Sequence, residues 1–223
     1  HRIQTKRLDV ARPICFGIGF GGWNAQIPVT TFGKAVTNGF LRGEHAVSLA
    51  YMRPIIGLVG PSGSGKTTLI EEVVRRFPER IGILKSLTTR PRRGPEDDAN
   101  YDFASVAEMR TRENEGRLVQ ISEYAGQMYA HDREHCDELL KDKIGICALV
   151  ERGVRNLRDA GYHVIVVKIV PKGWTGERDA ARMIADKQRA DSGLEAEFTI
   201  VNSFEPNGLG KAADELARIV DGL

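Results

Sequence analysis

At 223 residues the chain has room for one sizeable domain with a full core and a modest appendage, but not for two large domains. It is 41% hydrophobic and 28% charged with a formal net charge of +2, a balance that points to neither a nucleic-acid nor a membrane partner. No apolar run reaches the ~18 residues of a membrane span, and the three cysteines, Cys15, Cys136 and Cys147, form no CxxC pair; neither a disulfide framework nor a structural zinc site is indicated, and a reducing, cytoplasmic setting fits.

Residues 1–51 read as a poorly specified N-terminal extension, a linker or upstream sequence outside the native fold. They are Gly-rich and basic and keep no helical or strand period. The chain begins with His1, while Met52 stands directly before RPIIGLVG, a natural start for a compact domain over 52–223. Within the extension, GIGFGG satisfies G-x-G-x-x-G through Gly17, Gly19 and Gly22. The following WNAQIPVTTFG is β-branched and carries a proline, so the helix that a dinucleotide fingerprint needs is missing.

From Arg53 onward short apolar runs alternate with amphipathic segments, the pattern of a parallel sheet covered by helices. PIIGLVG predicts a buried strand and Lys66 to Phe77 a helix; IGILKSLTT predicts a second strand. SVAEMRTRENEG predicts a helix ending at Gly116, and RLVQISEYAGQMYA strand-like structure turning at Gly126. DREHCDELLKDK reads as helix, IGICALV as strand, GVRNLRDAG as a helix closed by Gly161, and HVIVVKIV as the most β-branched strand. GERDAARMIADKQRAD predicts a further helix, EFTIVN a last strand and LGKAADELARIVDGL a final amphipathic helix.

Between the first strand and helix, GPSGSGKTT meets G-x-x-x-x-G-K-[ST] through Gly60, Gly65, Lys66 and Thr67, with Ser62, Gly63 and Ser64 inside the loop and Thr68 after it. In this context backbone N–H groups and a helix N-terminus converge on a polyphosphate, and glycines keep side chains out of its way. Lys66 is expected to reach the β- and γ-phosphates of ATP, and the Thr67 hydroxyl to join the shell of a Mg²⁺ ion. Downstream, SLTTRPRRGPEDDANYDF sets Arg90, Arg92 and Arg93 before an acidic stretch and Tyr101. Guanidinium forks beside a phenol can grip a second phosphate, although a solvated basic turn is the alternative reading of the same residues.

Taken together these segments resemble the guanylate kinase family, P-loop enzymes that move the γ-phosphate of ATP to GMP. GPSGSGKTTL resembles its opening loop, SLTTRPRRGPEDDANYDF its S-x-TTR-x-x-R signature, EYAGQMYA its acceptor-site segment, and ARMIADKQRADSGLEAEFTIVN its arginine-bearing helix leading to a strand that ends V-N. The resemblance spans about Arg53 to Leu223 and implies a three-layer α/β P-loop kinase fold, with a mostly parallel central sheet and a small acceptor-binding region near Arg90 to Tyr129. It implies acceptor contacts at Ser86, Arg90, Arg93, Tyr101 and Tyr129, and a catalytic role for Arg182 beside Lys66.

This sequence departs from the family pattern where the base would be read. Gln120 stands in place of a glutamate, and His131 in place of a serine. The strand-end acids are matched by Ala148 and Val150 in one register and by Glu151, the working candidate, in another. The segment over ATP is reduced to PKGWTGERDAAR, with Lys172 and Arg178 as partial substitutes, so slower transfer or leakage of phosphate to water is expected. HDREH also fits the zinc-protease pattern H-x-x-E-H without a third ligand, and an exposed helix start is the plainer reading. Phosphorylation of GMP or dGMP is the first expectation; another nucleotide or a sugar phosphate as acceptor, or a non-catalytic interaction module, are the alternatives. Small nucleotides are the expected partners, and the sequence leaves the oligomeric state open.

Overall fold

The structure, a computed structural model, describes residues 52–173 and 193–223. The extension over 1–51, the helix expected after Gly173, and with it Arg178 and Arg182, lie outside the described residues.

Strands β1 (Ile55–Val59), β2 (Ile81–Ile83), β7 (Ile144–Ala148), β8 (Val164–Lys172) and β9 (Phe198–Ser203) form one sheet in the order β2-β7-β1-β8-β9, with every pairing parallel. Helices α1 (Lys66–Arg76) and α5 (Gly208–Asp221) cover one face; α3 (Arg133–Asp142) and α4 (Glu151–Asp159) cover the other. The alternation along β1 explains the three layers. Ile56 and Leu58 pack with Leu69, Val73, Ala213 and Leu216, whereas Ile55 and Val59 pack with Cys136, Leu140, Val154 and Leu157. All five residues of β1 are buried because both faces are covered, hence the unbroken apolar run.

A second sheet, ordered β4-β3-β6-β5, is formed by the chain between β2 and β7 of the first. It comprises β3 (Ser86–Thr88), β4 (Tyr101–Phe103), β5 (Leu118–Tyr124) and β6 (Gln127–Asp132), with helix α2 (Val106–Asn114) packed beneath. The expected single strand over IGILKSLTT is therefore two strands in different sheets. Ile81–Ile83 pairs with β7 and Ser86–Thr88 with β4 and β6, the chain leaving the first sheet after the Leu84 N–H donates to the Ile146 carbonyl at 2.9 Å. Apolar Ile81, Ile83, Leu84 and Leu87 flank the break with only Lys85 and Ser86 between them, too short an interruption to mark a boundary. The acceptor-binding region is correspondingly larger than expected, running from Ser86 to Asp132.

Local interactions set the remaining element boundaries. Ser105 caps α2 in a reciprocal capping box with Glu108, and Asp132 caps α3 by accepting from the His135 N–H. Ala125 and Gly126, both at positive φ, form the two-residue turn between β5 and β6. No helix among the described residues is long and apolar enough to cross a membrane.

Candidate active site

The loop Gly60–Gly65 follows β1 at the C-terminal crest of the parallel sheet, where open α/β sheets place their ligand crevices. Gly60 and Gly65 adopt φ of 149° and 84°, and each is tightly enclosed. A Cβ at Gly60 would collide with the Ile169 carbonyl of β8, and one at Gly65 with the Asn202 amide of β9. Gly65 starts α1 without any side-chain cap, and no acidic residue lies in the first turn, so the helix presents its N–H groups and positive dipole end unopposed. The Lys66 ammonium folds back over the loop, donating to the carbonyls of Gly60 (2.9 Å) and Pro61 (2.8 Å) and to Ser64 Oγ (3.3 Å). Asn202 Nδ2 donates to the Ser64 carbonyl at 2.9 Å, which ties the loop to β9.

Strand register assembles the second cluster. Ser86 pairs with Tyr101 across β3 and β4, and Thr88 pairs with Tyr129 across β3 and β6. Ser86 and Thr88 are two apart and share a face, so Tyr101 and Tyr129 are delivered to that face as well. The opposite face carries Leu87, Met128 and Ala130 onto Met109 and Leu118. Arg90 continues from β3 into this layer, with only 7% of its surface exposed. Its guanidinium lies 4.3 Å from the Tyr101 ring centroid and 5.7 Å from that of Phe103, and donates to Asp97 Oδ1 at 2.5 Å. Asp97 Oδ2 accepts from the Arg93 N–H at 2.8 Å, closing the turn over Pro95–Ala99.

Electrostatics keep the cluster cationic and its phenols neutral. Burial is the largest influence and disfavours the Arg90 charge, but the Asp97 hydrogen bond together with the charges of Asp97, Tyr101 and Tyr129 holds the guanidinium above its ordinary value. Burial likewise opposes ionisation of Asp97, and there the Arg90 contact and the Arg93 N–H prevail and hold the carboxyl low. Burial raises the phenols of Tyr101 and Tyr129, which remain hydrogen-bond donors at neutral pH.

Both groups open into one cleft of about 530 Å³. Of the residues expected from sequence, Gly60, Ser62, Gly63, Ser64, Gly65, Lys66, Thr67, Thr68, Ser86, Arg90, Arg93, Tyr101 and Tyr129 all line it. Glu151 does not; it opens α4 directly after the lining residues Ala148, Leu149 and Val150. Gln120 lies in β5, where the pairing with β6 slips between Val119 and Ser122.

His131 lines the acceptor end of the cleft, donating from Nδ1 to the Lys85 carbonyl at 3.1 Å. Burial lowers its pKa to about 4, so the ring is neutral at pH 7. His131 belongs to β6 and His135 to α3, so the two do not share a helical face as the zinc-protease pattern would require. Among the described residues no group of three or more His, Cys, Asp or Glu side chains is placed to hold a metal. Sequence reasoning missed Asp97, taken as part of an acidic stretch, Tyr124, and Phe204 after β9, all of which line the cleft. The Arg90–Asp97 spacing of seven residues around Pro91 and Pro95 was a readable signal for the first; Phe204 follows no local pattern.

A triphosphate loop and a buried arginine–tyrosine pocket facing each other across one cleft define a P-loop kinase that acts on a small phosphorylated acceptor. A guanylate kinase family profile matches residues 51–219. A guanylate kinase from Thermobifida fusca is 31% identical over 180 residues, covering 73% of this chain and 88% of its own. One from Synechocystis sp. is 25% identical over 180 residues, covering 74% and 92%. The fold is that of the guanylate kinase structure from Anaplasma phagocytophilum, with a TM-score of 0.56 at 22% identity over 78% of this chain and 88% of that one. The chain belongs to the guanylate kinase family, a family of nucleoside-monophosphate kinases.

Proposed function

We propose that the chain transfers the γ-phosphoryl group of ATP to GMP, giving ADP and GDP. The observation that carries this reading is the shared cleft, which Lys66 lines from the donor side and Arg90 and Tyr101 from the acceptor side. The bond between the γ-phosphorus and the β,γ-bridging oxygen breaks while a GMP phosphate oxygen bonds to that phosphorus. Such a transfer asks the protein for alignment and charge neutralisation rather than a covalent intermediate.

In this reading the loop N–H groups and α1 hold the triphosphate, with Lys66 on the β- and γ-phosphates. Arg90, Arg93, Ser86, Tyr101 and Tyr129 hold the GMP phosphate, presenting both charged and neutral donors. Arg182 supports the transferring group from outside the described residues. The site fits Mg²⁺: Thr67 offers a hard hydroxyl oxygen beside the phosphate cradle, as suits an ion that keeps waters and substrate oxygens in its shell. When bound, the ion supplies neutralisation of phosphate charge. A reducing cytoplasmic setting belongs to the same reading, with Cys136 and Cys147 buried as free thiols.

A second acceptor remains in view because His131, Ala148 and Val150 line the end where a base would be read. Chromatography of products from ATP and GMP tests the proposal. ADP and GDP in equal amounts are expected; ADP without GDP would reveal hydrolysis instead of transfer and overturn it.

A further inference from the structure

The cleft has two ends, and the sheet order tells them apart. The acceptor cluster sits on strands β3, β4 and β6, whose chain leaves the first sheet after β2 and rejoins it at β7, whereas β9 is the opposite edge. Phe204 follows β9. Its N–H donates to the Lys172 carbonyl at 3.0 Å, one rung beyond the Lys172–Ser203 pair. Two residues earlier Asn202 is bonded to the Ser64 carbonyl, so the backbone that carries Phe204 is tied to the phosphate loop. Phe204 lines the cleft although 46% of the residue is exposed. Phe198 and Val201 on the same strand are comparably exposed and do not line it.

We infer that Phe204 is the platform on which the base of the donor nucleotide stacks. The inference rests on the reading above: a triphosphate whose γ end faces Arg90 must direct its nucleoside end away from the acceptor cluster, toward the β8–β9 edge. There Phe204 lines the cleft from a backbone position held by its hydrogen bond to Lys172, two residues after the Asn202 tie to the phosphate loop. Stacking on a single ring reads the π-face of a base and not its hydrogen-bonding edge. The donor site therefore takes ATP and GTP with similar affinity, and holds a nucleoside triphosphate more tightly than a bare triphosphate chain.

Calorimetric titration of the full chain with ATP and with inorganic tripolyphosphate tests this, using wild type, Phe204→Ala, Phe204→Leu and Phe204→Trp. Loss of the ring weakens ATP binding about tenfold in both aliphatic variants, the order expected of one base–aromatic stack. Tripolyphosphate affinity is unchanged, and Phe204→Trp binds ATP as wild type does. In steady-state assays KM for ATP rises while KM for GMP holds. Equal loss of ATP and tripolyphosphate would mean that Phe204 only supports the loop, and unchanged ATP affinity in both aliphatic variants would remove it from the site; either result overturns the inference and leaves the kinase reading standing. Wild-type protein that binds neither ligand overturns both.

Discussion

Asn202 reaches across 138 positions of sequence to donate its Nδ2 to the Ser64 carbonyl at 2.9 Å, while its own Oδ1 is buried with no hydrogen-bond partner among the described residues. The contact makes the shape of the phosphate loop depend on the last strand of the sheet. Asn202→Ala leaves the carbonyl of a fully buried serine unpaired, which costs about 1–3 kcal/mol. Urea denaturation should show that loss, and KM for ATP should rise several-fold with KM for the acceptor unchanged. An ATP KM equal to that of wild type would separate Asn202 from the loop's function.

Gly60 is enclosed by backbone and not by a movable side chain, because the nearest obstacle to a Cβ is the Ile169 carbonyl inside β8. Gly60→Ala should therefore distort the loop or the β1–β8 pairing, at a cost above the ~1–3 kcal/mol of a strained backbone alone. A lowered thermal midpoint with loss of ATP binding is expected; a protein that binds ATP normally would contradict the geometry.

Arg90 combines a carboxylate contact with two aromatic neighbours, and a lysine reproduces neither the planar fork nor the stacking. Arg90→Lys should raise KM for the acceptor about ten- to a hundredfold, in line with the loss of a charge-assisted contact of roughly 1.5–3 kcal/mol. KM for ATP should stay put. Parallel increases in both constants would show that Arg90 serves the fold instead.

His131 makes stability pH-dependent. Its pKa is held near 4 by burial against an ordinary 6.5, so between those values the unfolded chain takes up a proton that the folded chain refuses. Stability is accordingly full above pH 6.5 and declines as pH falls toward 4, by at most about 1.4 kcal/mol per pH unit. Asp97 contributes in a lower window, since its folded carboxyl is depressed below the usual range. His131→Asn keeps a donor for the Lys85 carbonyl and removes the titration. Urea midpoints at pH 7, 5.5 and 4.5 should fall more steeply for wild type than for the variant; matching slopes would refute the assignment.

Much of this was legible in sequence because it is local. The loop between β1 and α1, the caps at Ser105 and Asp132 and the turn at Gly126 each depend on a few neighbouring residues, and each forms as the sequence implies. The loop residues and Ser86, Arg90, Arg93, Tyr101 and Tyr129, expected from sequence at the two phosphates, line one cleft because strand register is set by alternation that sequence displays. What escaped depends on distant partners. The break between β2 and β3 is decided by which strands they pair with, not by their own pattern. Asn202 is a strand-end amide until the fold lays it on Ser64, and Phe204 an exposed aromatic until the sheet order sets it at the donor end. Glu151 opens helix α4 one residue after the cleft wall, a placement that the two possible registers of the sequence do not distinguish.

The most direct test of the account is a coupled ADP-release assay with a panel of nucleoside monophosphates, on wild type and on Lys66→Ala. ADP formation should depend on GMP above the other acceptors, and fall about a hundredfold or more in the variant, as when a positive charge on the transferring group is removed. ADP release that ignores GMP, or that survives loss of Lys66, would contradict direct transfer across the cleft.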